Sequence, residues 1–362
     1  MIGAIMNAID NFFGRGESAV TVPPLDGALK PNRILDDTDK RYPLEDVDCL
    51  AESGRKLFAT SGRTVCVLGP KDRWTSLCKV DADITCIAPI GKEGLGIALA
   101  SGDIVVHGGA EDGKRFRAAP DVNCITAMIE KDGVLYLANG SASNASEDWQ
   151  RDLLQRNASG SIWRIGLSNG RSELLTDGLA WPAGIAIDEK GLVVSESWKH
   201  RLIRLDPFEP KHTETLYHDL PAYPGRLSAS PKGWWLAAFA PRSQLVEFVL
   251  REPGYCARML EDIPKDYWVS PKLQSGRSFY EPLQGGGVKH LGQLKPWAPT
   301  MSAGLCVELD GNFQPVSGLH SRADGVTHGI TSVVELNGTV YAASRGHGVV
   351  VRVPVEPAGS RS

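Results

Sequence analysis

The sequence lacks most of the short motifs that announce a chemistry. It has no Cys-x-x-Cys pair, no His-Glu-x-x-His, no Walker loop and no Gly-x-Gly-x-x-Gly. Those absences exclude a zinc-ribbon domain, a zincin-type protease, a P-loop nucleotidase and a dinucleotide-binding fold. No apolar run approaches the roughly 18 residues of a membrane-spanning helix, so no transmembrane segment is expected. A basic stretch is missing too: 39 Lys and Arg stand against 43 Asp and Glu, a net charge of −4. Nucleic acid needs clustered Lys and Arg to neutralise phosphates and is set aside as a partner.

Seven cysteines are scattered along the chain, an odd count that reads as reduced, buried thiols of a cytoplasmic protein. The first residues, MIGAIMNAIDNFFGRG, lack a basic start and are interrupted by Asn7, Asp10 and Asn11, so they do not read as a signal peptide. The Asn-x-Ser/Thr sequons at Asn139, Asn144, Asn157 and Asn337 then read as chance. Ile2, Ile5, Met6, Ile9, Phe12 and Phe13 fall at helical spacing and predict a short N-terminal amphipathic helix. Its expected use is packing on the chain's own domain or in a homo-oligomer. A membrane surface would call for a basic polar face.

What the sequence has is a repeat. CITAMIEKDGVLYLANGS from Cys124 and GITSVVELNGTVYAASRG from Gly329 align without a gap, each a β run, an Asp-Gly or Asn-Gly turn and a second β run. Segments from Val47, Ile84, Ala183 and Gly225 share the pattern, the last running through SQLVEFVL as a β run. The turn glycines are Gly54, Gly94, Gly133, Gly191, Gly233 and Gly338, spaced by 40, 39, 58, 42 and 105 residues. A four-stranded propeller blade takes about 40–45 residues. Six blades and two insertions account for the chain. The predicted class is all-β: a six-bladed β-propeller over residues 31–355, preceded by a helix and extension over 1–30. Closure of the ring is expected from a strand near Ala19–Val22 or Asn32–Leu35. The insertions, about 141–160 and 251–303, are expected over one face as a lid, a pocket wall or an oligomer contact. NASEDWQRDLLQRN in the first predicts a short helix starting near Asn144 or Ser146.

The run SGSIWRIGLSNGRSELLTDGLAWPAGIAIDEKGLVVSESWKHRLIRLD, then LPAYPGRLSASPKGWWLAAFAPRSQL and the C-terminal GLCVELDGNFQPVSGLHSRADGVTHGITSVVELNGTVYAASRGHGVVVRV, resemble strictosidine synthase-like proteins over about 122–353. That superfamily includes gluconolactonases and paraoxonase-like lactonases. The resemblance implies a six-bladed propeller with a small-molecule pocket at the central channel. The departures matter as much. Where the metal-dependent lactonases have metal-binding Asn and Asp, this chain has Ala183 and Gly225, so a divalent metal such as calcium is expected only in an altered site, with Asp48 and Asn123 as its remaining ligands. Where strictosidine synthase has a catalytic Glu, this chain has Thr331, which disfavours a Pictet–Spengler-like condensation.

Matching the six repeats lines up Asp48, Thr85, Asn123, Ala183, Gly225 and His328 as a ring around the channel. The leading expectation is a lactone- or ester-cleaving hydrolase. In it His328 is the acid/base, Asp48 orients it across the ring closure, and Asn123 polarises the substrate. The alternative for these residues is structural: Asp48 capping a strand turn, His328 a satisfied channel residue and Asn123 in a backbone hydrogen bond. Expected substrate-binding residues are Thr85, Trp149, Trp181, Glu196, Tyr223, Arg226, Thr331 and His347, with Trp297 a further aromatic wall; for the aromatic ones, core packing is the other reading. Cys49, Cys86 and Cys124 share a repeat position and read as packing rather than as nucleophiles. The second function class is a small-molecule-binding or scaffold propeller that kept the fold and lost the chemistry. Gly166-Leu167-Ser168-Asn169-Gly170 matches the nucleophile-elbow pattern but lies between two β runs, so it reads as a hairpin turn.

Overall fold

Six four-stranded antiparallel sheets are arranged as the blades of a propeller. The computed structural model describes residues 22–208, 213–277, 281 and 301–355, and the backbone at 289–290 and 293–294. The predicted N-terminal helix and Trp297 lie outside the described residues.

The chain enters through a helical turn, α1 (Ile34–Asp37), and a short strand, β1 (Arg41–Pro43). Blade 1 is β2 (Val47–Ser53), β3 (Lys56–Ser61), β4 (Thr64–Gly69) and β5 (Arg73–Lys79). Blade 2 is β6 (Ile84–Ile90), β7 (Gly94–Leu99), β8 (Ile104–His107) and β9 (Arg115–Phe116). Blade 3 is β10 (Ile125–Lys131), β11 (Val134–Asn139), β12 (Gly160–Gly166) and β13 (Ser172–Leu179), with α2 (Trp149–Leu154) inserted between β11 and β12. Blade 4 is β14 (Pro182–Ile187), β15 (Leu192–Glu196), β16 (Arg201–Leu205) and β17 (Thr213–Tyr217). Blade 5 opens with β18 (Ala222–Ser230) and β19 (Gly233–Pro241). After β19 come α3 (Gln244–Val249), α4 (Pro253–Asp262) and a small ladder of β20 (Lys289–His290) with β21 (Gln293–Leu294). Blade 5 then ends with β22 (Gly304–Leu309) and β23 (Pro315–Ser321). Blade 6 is β24 (Ile330–Leu336), β25 (Thr339–Ser344) and β26 (Val349–Pro354), completed by β1.

The hairpins follow from their turns. Asp132 and Gly133, like Asn337 and Gly338, all have positive φ, the geometry a two-residue turn needs to match strand twist. The Gly166–Gly170 segment is a longer hairpin connection between β12 and β13, Gly170 donating its N–H to the Gly166 carbonyl at 2.8 Å. A blade is apolar on both faces because each face meets a neighbour. All six residues of β7 are buried, and a core of Cys49, Cys86, Ile97, Ile104, Leu135 and Ile165 runs across blades 1 to 3.

Two sequence expectations are corrected. The closing strand is β1, pairing with β26 through Arg41↔Val351, Tyr42↔Val350 and Pro43↔Val349. Asn32–Leu35 instead leads into α1, because Leu35 is fully buried between blades 5 and 6 and Asp36 accepts from Ser321 Oγ and Val326 N. Val22 has no regular structure, and 19–21 lie outside the described residues. The second insertion begins at about 242, earlier than expected, since QLVEFV is helix α3 rather than a strand, burying Val246 and Val249 at a three-residue spacing. The first insertion carries its predicted helix, starting at Trp149 after a 3-10 turn over Ser146–Asp148. The two insertions pack on each other. Leu154, Val249, Cys256, Met259 and Trp268 form one cluster, and Gln150 Nε2 donates to Ser270 Oγ at 2.8 Å and to the Pro271 carbonyl at 2.9 Å. No helix among the described residues is long and apolar enough to cross a membrane.

Candidate functional site: the lidded mouth of the channel

Every innermost strand breaks register near its start. The breaks fall between Val47 and Leu50, Ile84 and Cys86, Ile125 and Ala127, Pro182 and Gly184, Pro224 and Leu227, and Ile330 and Ser332. A bulge leaves a residue out of the ladder and re-aims it. The residues set free include Asp48, Thr85, Thr126, Ala183, Gly225 with Arg226, and Thr331. These seven line one cavity of about 530 Å³.

Arg226 forms the floor. Its Nε donates to the Thr126 carbonyl at 3.0 Å. Nη1 donates to the carbonyls of Asp48 and Thr331, both at 3.1 Å. Nη2 donates to Asp48 Oδ2 at 2.8 Å and to the Thr85 carbonyl at 2.7 Å. One guanidinium thus ties blade 5 to blades 1, 2, 3 and 6. It also lines a second cavity of about 410 Å³ with Cys49, Cys86, Met128 and Ser332, and so separates the two. Arg345 Nη1 reaches the other Asp48 oxygen at 3.2 Å, and Thr331 Oγ1 donates to the Asp48 carbonyl at 2.6 Å. Burial pushes the Asp48 carboxyl up, but the charges of Arg226 and Arg345 outweigh it and hold Asp48 below the usual carboxylate range.

The walls are aromatic. Trp149 of α2, Trp181 and Phe239 face the cavity beside Ile84, Ile125 and Leu273. Trp149 meets Phe239 edge-on at 5.4 Å, and Trp181 stacks on Trp198 at 5.2 Å. Trp198 is held from outside by Asp152, whose Oδ1 accepts its indole N–H at 2.7 Å. Asp152 Oδ2 accepts from Asn144 and Asn157, so the first insertion fastens the aromatic wall. The second insertion is fastened by Glu247 of α3, which meets His200 Nε2 at 3.3 Å and Arg242 Nε at 3.0 Å. Burial works against the Glu247 charge, but the His200 hydrogen bond and the Arg242 guanidinium hold its carboxyl down to about 2. The rim carries Asp46, Asp83 and Glu147. A larger cavity, about 790 Å³, lies among Ala28, Lys30, Trp235 and Val353 at the outer edge of blades 5 and 6, and shares no residue with this ring.

The structure brings Asp48, Thr85, Trp149, Trp181, Arg226 and Thr331 to one cavity and leaves the other candidates elsewhere. His328 is the main correction. Its Nε2 donates to the Arg322 carbonyl at 2.7 Å, which leaves Nδ1 to accept from Ser302 Oγ at 2.8 Å. Both ring nitrogens are used, burial pushes its pKa down, and Asp48 pairs with arginines instead. His347 Nδ1 accepts the His328 backbone N–H at 3.1 Å, and burial takes its pKa down to about 4. Asn123 is exposed ahead of β10 and does not line the cavity. Glu196 is fully buried, accepting from Ala180 N, Lys199 and Arg201, and clamps a blade corner. Tyr223 lies behind the wall, fully buried against Trp198, Phe239 and His200. Cys49, Cys86 and Cys124 are buried, and burial raises all three thiols.

Thr126 and Arg345 were missed as channel residues. Thr126 and Thr331, like Arg226, stand seven residues ahead of their turn glycines, whereas Asn123 and His328 stand ten ahead. Counting back from the turn would have placed Thr126, Arg226 and Thr331, but not Asp48, Thr85 and Ala183, which stand six, nine and eight residues ahead of Gly54, Gly94 and Gly191.

The residues do not fit a divalent metal. Ala183 and Gly225 offer no side-chain ligand, and the Asp48 carboxylate is shared by two guanidiniums. Among the described residues no three His, Cys, Asp or Glu gather as ligands would.

No family model matches the chain, and no curated protein matches it. Solved structures do match in fold. A gluconolactonase from Xanthomonas campestris covers 93% of this chain and 96% of its own, with a TM-score of 0.54 at 11% identity. The calcium-binding protein regucalcin from Agrobacterium tumefaciens covers 90% and 94%, with 0.52 at 12% identity. A luciferin-regenerating enzyme covers 89% and 94%, with 0.51 at 14% identity. At these identities the likeness shows the six-bladed propeller fold.

Proposed function

We propose that this chain is a small-molecule-binding propeller whose ligand lies in the lidded mouth cavity, over the Arg226 floor and against Trp149, Trp181 and Phe239. One observation carries the reading: the polar groups of the floor are already committed to one another. All five Arg226 N–H groups are donated to protein oxygens. The threonine hydroxyls donate to backbone carbonyls: Thr85 to Ala98, Thr126 to Pro182, Thr331 to Asp48. A hydroxyl so engaged is not poised beside a base as a nucleophile. The floor is a rigid polar platform, and the walls supply apolar contact, a division typical of binding sites.

Lactone or ester cleavage is the second reading, favoured by the fold shared with a gluconolactonase. In this cavity its water-activating group would be Asp48, with Arg345 beside it for the developing oxyanion. The earlier resemblance to strictosidine synthase-like proteins supports the same pocket, and Thr331 continues to argue against condensation.

A metabolite screen by thermal shift and indole fluorescence, paired with turnover assays on lactones and esters, separates the two. The binding reading expects ligands that shift both signals in the parent protein, lose about tenfold or more in affinity in Trp181→Ala, and are not turned over. Turnover in the parent that disappears in folded Asp48→Asn would establish the hydrolase instead.

A further inference from the structure

The oxygen cage around Arg226 is more than a floor. Four backbone carbonyls and one carboxylate oxygen, from four different blades, converge on one positive charge. Carbonyls at the inner ends of the strands point toward the axis and have no ladder partner there. Left empty, this cage would lose the guanidinium donors of the Thr85, Thr126 and Thr331 carbonyls and leave the buried Asp48 carboxylate to Arg345 alone, and a buried acceptor without its donor is costly. The sequence supplies the remedy from within, because Arg226 lies at the blade 5 register break, directly after a Gly225 that leaves room for the neighbouring strand. A Cβ at Gly225 would stand 3.1 Å from the Ala237 carbonyl oxygen, tighter than ordinary contact.

We propose that Arg226 is the resident cation of the channel, a positioning residue that takes the place of a bound metal ion and makes the mouth site independent of divalent cations. The shape of the cage agrees. Its oxygens stand 2.7–3.1 Å from guanidinium nitrogens, hence about 4 Å from the guanidinium carbon. Calcium needs six to eight oxygens at about 2.3–2.6 Å. The ring is spread for a planar, five-donor cation and is too wide to close on a bare ion. The charge also keeps Asp48 ionised and aimed into the cavity. Arg226 acts on a ligand through Asp48, its own donors being spent.

The test uses the intact chain. After chelation and dialysis, calcium, magnesium and manganese are titrated into the parent protein by calorimetry and thermal shift. No stoichiometric binding and no change of Tm are expected. Arg226→Ala is expected to lose about 5–10 °C in Tm, as for removal of one partner of a buried pair. Methylguanidinium at millimolar concentration should restore much of that loss, while calcium should not. Arg226→Lys keeps the charge, loses the fork, and should fall between the two without responding to calcium. Stoichiometric divalent binding by the parent that Asp48→Asn abolishes would overturn the proposal. So would a folded Arg226→Ala that calcium restores, or one that methylguanidinium leaves unchanged. If Arg226→Ala does not fold, the parent titration and Arg226→Lys decide, a calcium-dependent rise in Tm of either counting against it. None of these readouts depends on the ligand of the mouth cavity.

Discussion

Asp48 carries a charge that burial alone would remove. Its side chain is only 13% exposed, yet Arg226 and Arg345 keep it ionised. A carboxyl whose pKa is depressed in the folded state stabilises the fold above its unfolded value, about 3.9, and that stabilisation is lost as pH falls through the lower folded value. Asp48→Asn removes one partner of a buried pair, and the expected cost is about 3–5 kcal/mol at neutral pH. The difference in Tm between parent and variant should narrow below about pH 4. A gap that stays constant through the acid range would show that Asp48 is not the group responsible. At this scale the sequence was half legible. Asp48, Thr85, Ala183 and Gly225 could be placed on the channel because each stands at the start of the first β run of its repeat. Asn123 and His328 could not, because the repeats from Cys124 and Gly329 match each other better than they match the rest, and both were read three residues too early. The Asp48–Arg226 pair joins residues far apart in sequence, and no local pattern encodes it.

Elements decide what the cavity walls are made of. Helix α2 is short, six residues, and would be marginal alone. It is held by Asp152, which gathers Asn144, Asn157 and the Trp198 indole, and by Gln150, which donates to Ser270 and Pro271 of the second insertion. Asp152→Ala strands the Trp198 indole N–H, while Asn144 keeps Gln155 and Asn157 keeps its serine acceptors, and the expected cost is about 1–3 kcal/mol. It should also free Trp198 from its stack on Trp181, weakening the near-UV circular dichroism and lowering ligand affinity about tenfold. An unaltered near-UV spectrum would mean that packing alone sets the indole. The helical periodicity of NASEDWQRDLLQRN was visible in sequence because polar loops flank it. SQLVEFVL was misread as a strand. Val246 and Phe248 are β-formers in a repeat register where a third strand belongs, whereas the helix buries Val246 and Val249, the latter in the lid cluster with Leu154 and Trp268.

The whole molecule is a ring, and a ring is as stable as its closure. Its sixfold count was legible because blade length is set by strand geometry and the turn glycines mark it. The closing strand was not, since β1 has three residues and its alternation is too short to stand out. Its apolar contribution is Tyr42, beside Arg41, which donates to the Leu35 and Val326 carbonyls and to Thr327 Oγ1. Tyr42 is buried among Leu50, Leu57, Val334, Tyr341 and Val350, where the first and last blades meet. The same seam is stitched nearer the axis by Leu50 N donating to Ser332 Oγ at 3.0 Å and by Thr331 donating to the Asp48 carbonyl. Tyr42→Ala leaves a cavity at that seam and weakens the β1 covering of the β26 edge. The expected cost is about 3–5 kcal/mol in urea unfolding, in line with aromatic truncation in a core. An unpaired edge strand invites pairing with another chain, so the variant should also form more dimer or aggregate on warming than the parent. A control at the exposed Phe208, in the loop after β16, should change neither property. Equal stability of Tyr42→Ala and parent would place the closure in the axial hydrogen bonds, leaving β1 as a cover and not a clasp.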